Sequence, residues 1–278
     1  MKKIIAAFDG LKFSESTLSY TITIGEQNKC HIVGVFLNDM TYYSRNPYKV
    51  LIEADNNIST LEELGVEDTT TREKAVQKFS TACSEAGLTY SVHKDKNTAL
   101  LELLHESTYA DLVIIDASET FNRYTEDLPT RFIRDFLADV QCPVLLVPKF
   151  YVPIRKSILL YDGQPSSVYA IKMFGYLLPV LNALPAEVIT VKGHDEDLHV
   201  PDNRLMKEFM KRHHPNAEYT VLRGVPDEEI LSRLRSEDAR AVVVAGAYRR
   251  SVVSRLFRAS MADVLMREIK WPLFIAHQ

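Results

Sequence analysis

A glycine, four arginines and a serine lie close together near the carboxyl end of the sequence, and these residue types could bind an anion. Gly246 ends the apolar run 241–245, and Ser260 precedes a helical pattern that starts at Met261. The arginines between them are Arg249, Arg250, Arg255 and Arg258. Arginine forks hold phosphate or carboxylate with two hydrogen bonds, and the N-terminus of a helix favours negative charge.

Two interpretations of this segment remain open. In the first, Arg249, Arg258 and Ser260 contact an anionic ligand, because a loop that leaves a buried parallel strand is where α/β folds bind anions. In the second, the arginines lie on a solvated surface and pair with nearby acids.

The elements that position this loop recur twice along the chain. Residues 3–10 resemble residues 157–163, and each run is a buried strand that ends in Asp-Gly, at Asp9 and Asp162. The same similarity joins 111–117 to 240–246, and 142–148 to 271–277. Strands alternate with helical patterns throughout, which favours an α/β fold with parallel sheets. We therefore predict two copies of one α/β unit, in domains 1–150 and 151–278, with an insertion at about 38–70 in the first.

Together these features resemble the universal stress proteins, here as two fused domains covering essentially the whole chain. The features are a first strand ending in Asp, a Gly-x-Pro turn after the third strand (224–226), a glycine loop after the fourth, and a closing Pro-apolar strand. The resemblance implies two doubly wound, Rossmann-like parallel sheets of five strands in the order 3-2-1-4-5. It also implies that the two fifth strands, 144–147 and 273–276, meet across an internal pseudo-twofold axis.

The resemblance further implies a ligand site where the first and fourth strands of each sheet end. In the ATP-binding branch of the family, three glycines and a hydroxyl residue hold the phosphates. At those positions the second half has Gly246, Arg249, Ala259 and Ser260, and the first half has Ala117, Thr120, Thr130 and Arg131. The predicted site in the second domain is Asp162, Val191, Gly246, Arg249, Arg258 and Ser260, with ATP or another phosphate-bearing ligand as candidate. Asp9 is predicted to be the vestige of such a site, without a ligand.

Composition excludes several function classes. A formal net charge of −4 gives no global basic surface for nucleic acid. No stretch approaches the length of a membrane span or a signal sequence. Three scattered cysteines, Cys30, Cys83 and Cys142, predict reduced thiols and a cytoplasmic protein. The His and acidic residues of 194–199 match no defined metal pattern, so no metal site is predicted.

No catalytic constellation is evident, so two hypotheses are kept. The first is a non-enzymatic stress-response protein that senses a small anionic ligand or interacts with a partner protein. The alternative is an ATP-binding protein with slow ATP hydrolysis. In either case we expect a monomer with an internal pseudo-dimer, or a homodimer. The insertion, with Tyr42, Tyr43 and Tyr48, is interpreted either as a flap packed on its own domain or as a lid over a binding site.

Overall fold

A computed structural model of the chain describes residues 2–37, 58–95, 98–122, 125–194, 197–237, 240–246 and 261–277. Its strands are β1 (Lys3–Asp9), β2 (His31–Leu37), β3 (Tyr90–Asp95), β4 (Leu112–Asp116), β5 (Val144–Val147), β6 (Lys156–Leu160), β7 (Ala186–Lys192), β8 (Glu218–Arg223), β9 (Ala241–Gly246) and β10 (Leu273–Ala276). Its helices are α1 (Glu15–Asn28), α2 (Ile58–Glu85), α3 (Ala99–Ser107), α4 (Arg131–Asp139), α5 (Pro165–Leu177), α6 (Pro179–Asn182), α7 (Asn203–His213), α8 (Pro226–Arg235) and α9 (Met261–Glu268).

The strands of the described ranges join into one ten-stranded sheet in the order β3-β2-β1-β4-β5-β10-β9-β6-β7-β8. Each half has the predicted order 3-2-1-4-5, with parallel pairing inside the half. The halves meet at β5 and β10, which pair antiparallel with Leu145 opposite Phe274. The predicted meeting of the two fifth strands is confirmed, and the palindromic order is what a pseudo-twofold axis requires. This pairing also removes two exposed sheet edges.

Helices cover both faces of the sheet, as the continuous apolar runs in the strands predict. Alternate strand residues face opposite layers, so Ile4 and Phe8 lie in one core while Ile5 lies in the other. One layer packs under α1, α2, α5 and α7, and the other under α3, α4, α8 and α9. Each core runs through both halves without interruption, because the central β5–β10 pair contributes to both layers.

Hydrogen bonds and ring packing hold the segment that joins the two halves against α1. The Tyr20 hydroxyl donates to the Val152 carbonyl at 2.8 Å and accepts from the Val152 N–H at 3.2 Å. The Tyr151 ring packs edge-on against Tyr20, with centroids 4.7 Å apart. The Tyr151 hydroxyl also lies 3.1 Å from the Thr23 hydroxyl. These contacts fix the path of the connection, but the predicted division into domains at residue 150 stays a prediction.

Of three local predictions made from the spacing of apolar residues, two need correction and one is confirmed. The apolar spacing of 72–86 predicts a helix over those residues, but α2 begins at Ile58, so part of the insertion is helical as well. Residues 38–57, which include the three tyrosines of the insertion, lie outside the described residues. The apolar spacing of 166–181 predicts a helix that Pro179 kinks or shortens, and this is confirmed: α5 ends at Leu177 and Pro179 starts the short α6, because proline cannot continue the helix. In α7, the helical pattern predicts that Leu205 faces the core, but Leu205 is exposed and Met206 is buried instead.

Candidate functional site

Three of the predicted site residues, Asp162, Val191 and Gly246, line one cavity of about 290 Å³. They come from the loop after β6, the end of β7 and the end of β9. Because parallel strands end at the same edge of a sheet, residues far apart in sequence converge there. The first turn of α8 closes the cavity with Pro226 and Asp227. Arg249, Arg258 and Ser260 lie outside the described residues, so their place relative to this cavity stays a prediction.

The Asp162 carboxylate shapes the turn at the edge of this cavity. Its Oδ1 atom accepts hydrogen bonds from the Gln164 N–H at 2.9 Å and the Ser167 hydroxyl at 2.7 Å. These bonds set the turn that starts α5, a common use of aspartate. The residue is exposed to solvent, so the carboxylate can also meet a ligand that enters the cavity.

Close packing against α5 requires a glycine at position 246, and the sequence did not predict this requirement. A Cβ atom at this position would lie 2.3 Å from the Ser166 carbonyl carbon and oxygen and 2.5 Å from the Ser167 nitrogen. These are backbone atoms at the start of α5, which cannot give way as a flexible side chain could. The glycine therefore permits close packing of β9 on α5, whether or not a phosphate also approaches it.

The described walls of the cavity are apolar with an acidic rim. Apolar side chains are contributed by Leu160, Ile189, Val191, Ile230 and Met261. Asp162 and Asp227 carry the charge of the rim, and α8 has two further acids, Glu228 and Glu229, in its first turn. Such walls suit a flat apolar or heteroaromatic group with hydrogen-bond donors, since the carboxylates accept hydrogen bonds. Positive charge for a phosphate would have to come from outside these walls.

In the first half, the corresponding loop is occupied by the protein's own carboxylate. Glu119 is buried, and its Oε1 atom accepts hydrogen bonds from the N–H groups of Thr120 and Phe121, both at 2.8 Å. Phe121 has a left-handed φ of 49°, so the chain makes a tight turn around that oxygen. Successive N–H groups in such a turn form an anion-binding concavity. Glu119 was missed as a site residue; an acid where the family has a glycine-rich loop is the signal that could have found it.

Burial, and then the nearby charge of Asp9, raise the pKa of Glu119 to about 7. The two backbone N–H groups and the Lys12 ammonium oppose this shift. The Lys12 ammonium also donates to the Thr120 hydroxyl at 3.1 Å. Near neutral pH the Glu119 carboxyl group therefore exchanges between its charged and neutral forms.

Side chains of the same loop hold Glu119 in place. Thr130, which caps α4 through the Ile133 N–H, donates its hydroxyl to the Glu119 carbonyl at 2.6 Å. Asp116 accepts from the Ser118 N–H at 2.8 Å and from the Ser14 hydroxyl at 2.9 Å. Thr130 stands where the family has its third glycine, so the substitution adds an anchor to the loop.

Asp9 forms the same turn as Asp162 but is buried. Its Oδ1 atom accepts from the Leu11 N–H at 2.8 Å, as Asp162 accepts from the residue two positions on. Asp9 is only 5% exposed, and a Cβ atom added at Gly10 would lie 2.9 Å from Cγ of Arg72 in α2. Helix α2 thus packs against the turn that follows β1, next to the predicted vestigial site.

Burial or local pairing accounts for the other residues whose types could carry chemistry. Burial raises the pKa of Cys83 and of Cys142 to about 12, so neither thiol is a ready nucleophile.

In the acidic loop after β7, Asp197 pairs with Lys192 at 2.7 Å and accepts from the His199 N–H at 3.0 Å. Across the described ranges, no cluster of three His, Cys, Asp or Glu side chains is placed to hold a metal ion. None of the helices in those ranges is long and apolar enough to cross a membrane.

Comparison with known proteins supports the fold through structure rather than sequence. No family model and no curated protein matches the sequence. A universal stress protein from Archaeoglobus fulgidus matches at a TM-score of 0.69 and 15% identity, with 99% of this chain and 98% of that chain covered. A protein from Pseudomonas aeruginosa described as a putative universal stress protein matches at 0.56 and 15% identity, over 100% and 93% of the two chains.

The whole chain therefore has the universal stress protein fold, as the sequence resemblance predicted. The same fold also serves elsewhere. The cytoplasmic domain of a prokaryotic cation chloride cotransporter matches at a TM-score of 0.53 and 11% identity, covering 99% of this chain and 94% of that chain. Function must accordingly be argued from the site and not from the fold.

Proposed function

We propose that the protein is a non-enzymatic stress-response protein of the universal stress type, and that it senses a small anionic ligand in the crevice of its second half. The difference between the two crevices carries this proposal. The second-half crevice holds a cavity of about 290 Å³, whereas the anion-binding turn of the first half is filled by Glu119. One half is therefore assigned to ligand binding and the other to support.

The ligand class that fits is an adenine nucleotide such as ATP, or another phosphate-bearing molecule. The apolar walls around Val191 accommodate a base, and Asp162 can accept a hydrogen bond from an exocyclic amine. Arg249, Arg258 and Ser260 are proposed to supply the phosphate contacts, on the strength of their residue types and their position after β9. A protein that reports its ligand to a partner needs no chemical step, so we propose no reaction.

Calorimetric titration of ATP, ADP and inorganic phosphate into the purified protein tests the proposal. We expect ATP to bind the wild type, and to bind at least about tenfold more weakly to the Arg249→Ala, Arg258→Ala double variant. Asp162→Asn should also weaken binding, while the matched first-half variant Asp9→Asn should not. No binding at millimolar ATP, or equal affinity in every variant, would contradict the proposal. Steady phosphate release from ATP that the double variant abolishes would instead favour the alternative, slow ATP hydrolysis.

A further inference from the structure

Helices α5 and α7 carry a strongly basic face. We define this basic face by Lys172 of α5 and by four residues of α7, namely Arg204, Lys207, Lys211 and Arg212. The four α7 cations are exposed, while Met206 and Met210 on the opposite side are buried in the core. Helical periodicity therefore gathers the cations on the side that faces solvent.

The cations of the basic face lack acidic partners within the part of the chain that the structure describes. By contrast, Lys156 and Arg233 both pair with Glu187. None of the five cations of the basic face forms an ion pair with a described residue. Glu208 is the one acid in the sequence of α7. In a chain with a formal net charge of −4, five cations on one face produce a local positive field.

Aromatic rings connect the two helices within this face. The His213 ring lies 5.3 Å from the Tyr176 ring and 4.2 Å from the Phe209 ring, measured between centroids. Lys172 lies 5.9 Å from the centre of the Tyr169 ring. The pKa of His213 is lowered mainly by burial, and the charge of Lys172 lowers it further. Tyr176 is 61% exposed, so an apolar contact is available one helical turn from Lys172 on α5.

We propose that the basic face binds an acidic peptide segment of a partner protein, with an apolar or aromatic side chain of that segment against Tyr176. Arginine and aromatic residues are enriched where proteins bind each other, and clusters of arginine recognise acidic motifs. Charge complementarity selects the acidic partner and speeds its encounter.

Two other anionic partners fit the face less well. A duplex nucleic acid binds through an extended track of phosphate contacts, whereas here Glu208 interrupts the cations of α7. An anionic membrane surface is bound best by a helix that turns its apolar side toward the lipid. The buried side of α7, with Met206 and Met210, is committed to the protein core.

The test uses the full chain and a fluorescein-labelled peptide of glutamates around a central Trp-Leu pair. Fluorescence anisotropy measures its binding to the wild type and to the triple variant Lys172→Glu, Lys211→Glu, Arg212→Glu. We expect the triple variant to bind about tenfold or more weakly. The Tyr176→Ser variant should lose about threefold by itself, and added salt should weaken binding to the wild type.

The control variant carries the same change of charge at exposed positions elsewhere, as Lys74→Glu, Lys94→Glu, Lys270→Glu. It should bind the peptide within about twofold of the wild type. Circular dichroism confirms that each variant is folded, and the milder Lys172→Gln, Lys211→Gln, Arg212→Gln variant replaces any that is not. The proposal is overturned if the glutamate peptide does not bind at low salt, or if a peptide with glutamines in place of the glutamates binds equally well. It is also overturned if the control variant loses as much affinity as the variant of the basic face. Binding of duplex DNA or anionic vesicles in the absence of peptide binding would also overturn it.

Discussion

Arg233 holds the buried carboxylate of Glu187 with two hydrogen bonds, from Nε at 3.1 Å and from Nη2 at 2.9 Å. Lys156 adds a contact at 2.6 Å and the Thr220 hydroxyl another at 2.7 Å. The Glu187 side chain is only 2% exposed, whereas those of Lys156 and Arg233 are 26% and 27% exposed. The network joins β6, β7, β8 and α8 at the opposite end of the sheet from the cavity.

The Glu187→Gln variant should lower the free energy of unfolding by about 2 kcal/mol, because it removes the buried charge that Lys156 and Arg233 share, although Glu237 still pairs with both cations. Urea denaturation measures the loss. Glu268→Gln is the control, since the Arg235–Glu268 pair is exposed and contributes less than about 1 kcal/mol. Equal effects from the two variants would show that the Glu187 network adds nothing beyond a surface pair.

The pH dependence of this contribution has a definite sign. Desolvation pushes the pKa of Glu187 upward, but hydrogen bonds from Lys156 and Thr220 and the charges of Lys156 and Arg233 outweigh it, so the pKa is lowered. The stabilisation is therefore fully present above the ordinary pKa of 4.5 and is lost as the pH falls through the folded value. The destabilisation by Glu187→Gln should shrink as the protein is acidified.

Much of this fold could be predicted from the sequence, because repeated strands carry strong signals. The apolar runs gave the strands of both halves, and the matching positions of 142–148 and 271–277 indicated how the halves meet. The start of α2 was harder to predict. The helix begins at Ile58, in a mostly polar segment where the spacing of apolar residues does not by itself indicate a helix.

The candidate site was less predictable than the fold. The Asp9 and Asp162 turns could be expected, since aspartate bonds locally. The close approach of Ser166 to Gly246 could not, because it depends on how β9 packs against a distant helix. The Glu119 interaction was also hidden, since burial and a left-handed φ at Phe121 are tertiary features.

Glu119 should make the protein less stable as the pH rises from 4.5 to about 7. Its folded pKa of about 7 lies above the ordinary 4.5, so between these values the folded state holds a proton that the unfolded state has lost. Stability from this group is fully present below pH 4.5, and roughly 3 kcal/mol is lost by pH 7 and above. Glu119→Gln keeps an acceptor for the Thr120 and Phe121 N–H groups without the charge.

We therefore expect Glu119→Gln to be more stable than the wild type at pH 8 and similar to it at acidic pH. Denaturant unfolding across this range measures the difference. Glu126→Gln, an exposed acid in the same connection, should follow the wild type at every pH. A Glu119→Gln curve parallel to that of the wild type would refute the assignment of a neutral-pH proton to this residue.

Protonation of His214 should destabilise the folded protein at acidic pH. Desolvation, and then the charge of His213, lower the pKa of His214 from 6.5 to about 4. Neither ring nitrogen has a hydrogen-bond partner among the described residues, and the ring stacks on Phe174. The folded state therefore resists protonation, and stability falls as the pH drops from 6.5 toward 4.

The His214→Phe variant keeps an aromatic ring against Phe174 and removes the proton site. We expect it to be about 2 kcal/mol more stable than the wild type at pH 5, and closer to it at pH 8. Thermal unfolding followed by circular dichroism is sufficient as a measurement. The exposed His105→Phe variant is the control, and a gain at pH 5 of the same size there would argue against a special role for His214.

The Tyr20→Phe variant tests how firmly the connection between the halves is held. It removes the hydroxyl that bonds both backbone groups of Val152 and leaves the ring packing against Tyr151 intact. A cost of about 1 to 2 kcal/mol is expected, since two backbone groups lose their partner. Limited proteolysis should also cut near Tyr151 more readily. Tyr109→Phe, at an exposed position, should change neither readout.

Gly246→Ala separates the packing role of this glycine from a role in ligand binding. The new Cβ would meet Ser166 and Ser167 backbone atoms at 2.3 to 2.5 Å, so β9 and α5 must move apart. A loss of about 3 kcal/mol is expected, without any ligand present. Gly87→Ala is the matched control, because its φ is +64° and nothing lies within 4 Å of the added Cβ; it should cost only about 1 kcal/mol. If Gly246→Ala unfolds like the wild type and loses only nucleotide binding, the glycine serves the ligand, and the contact with α5 is incidental.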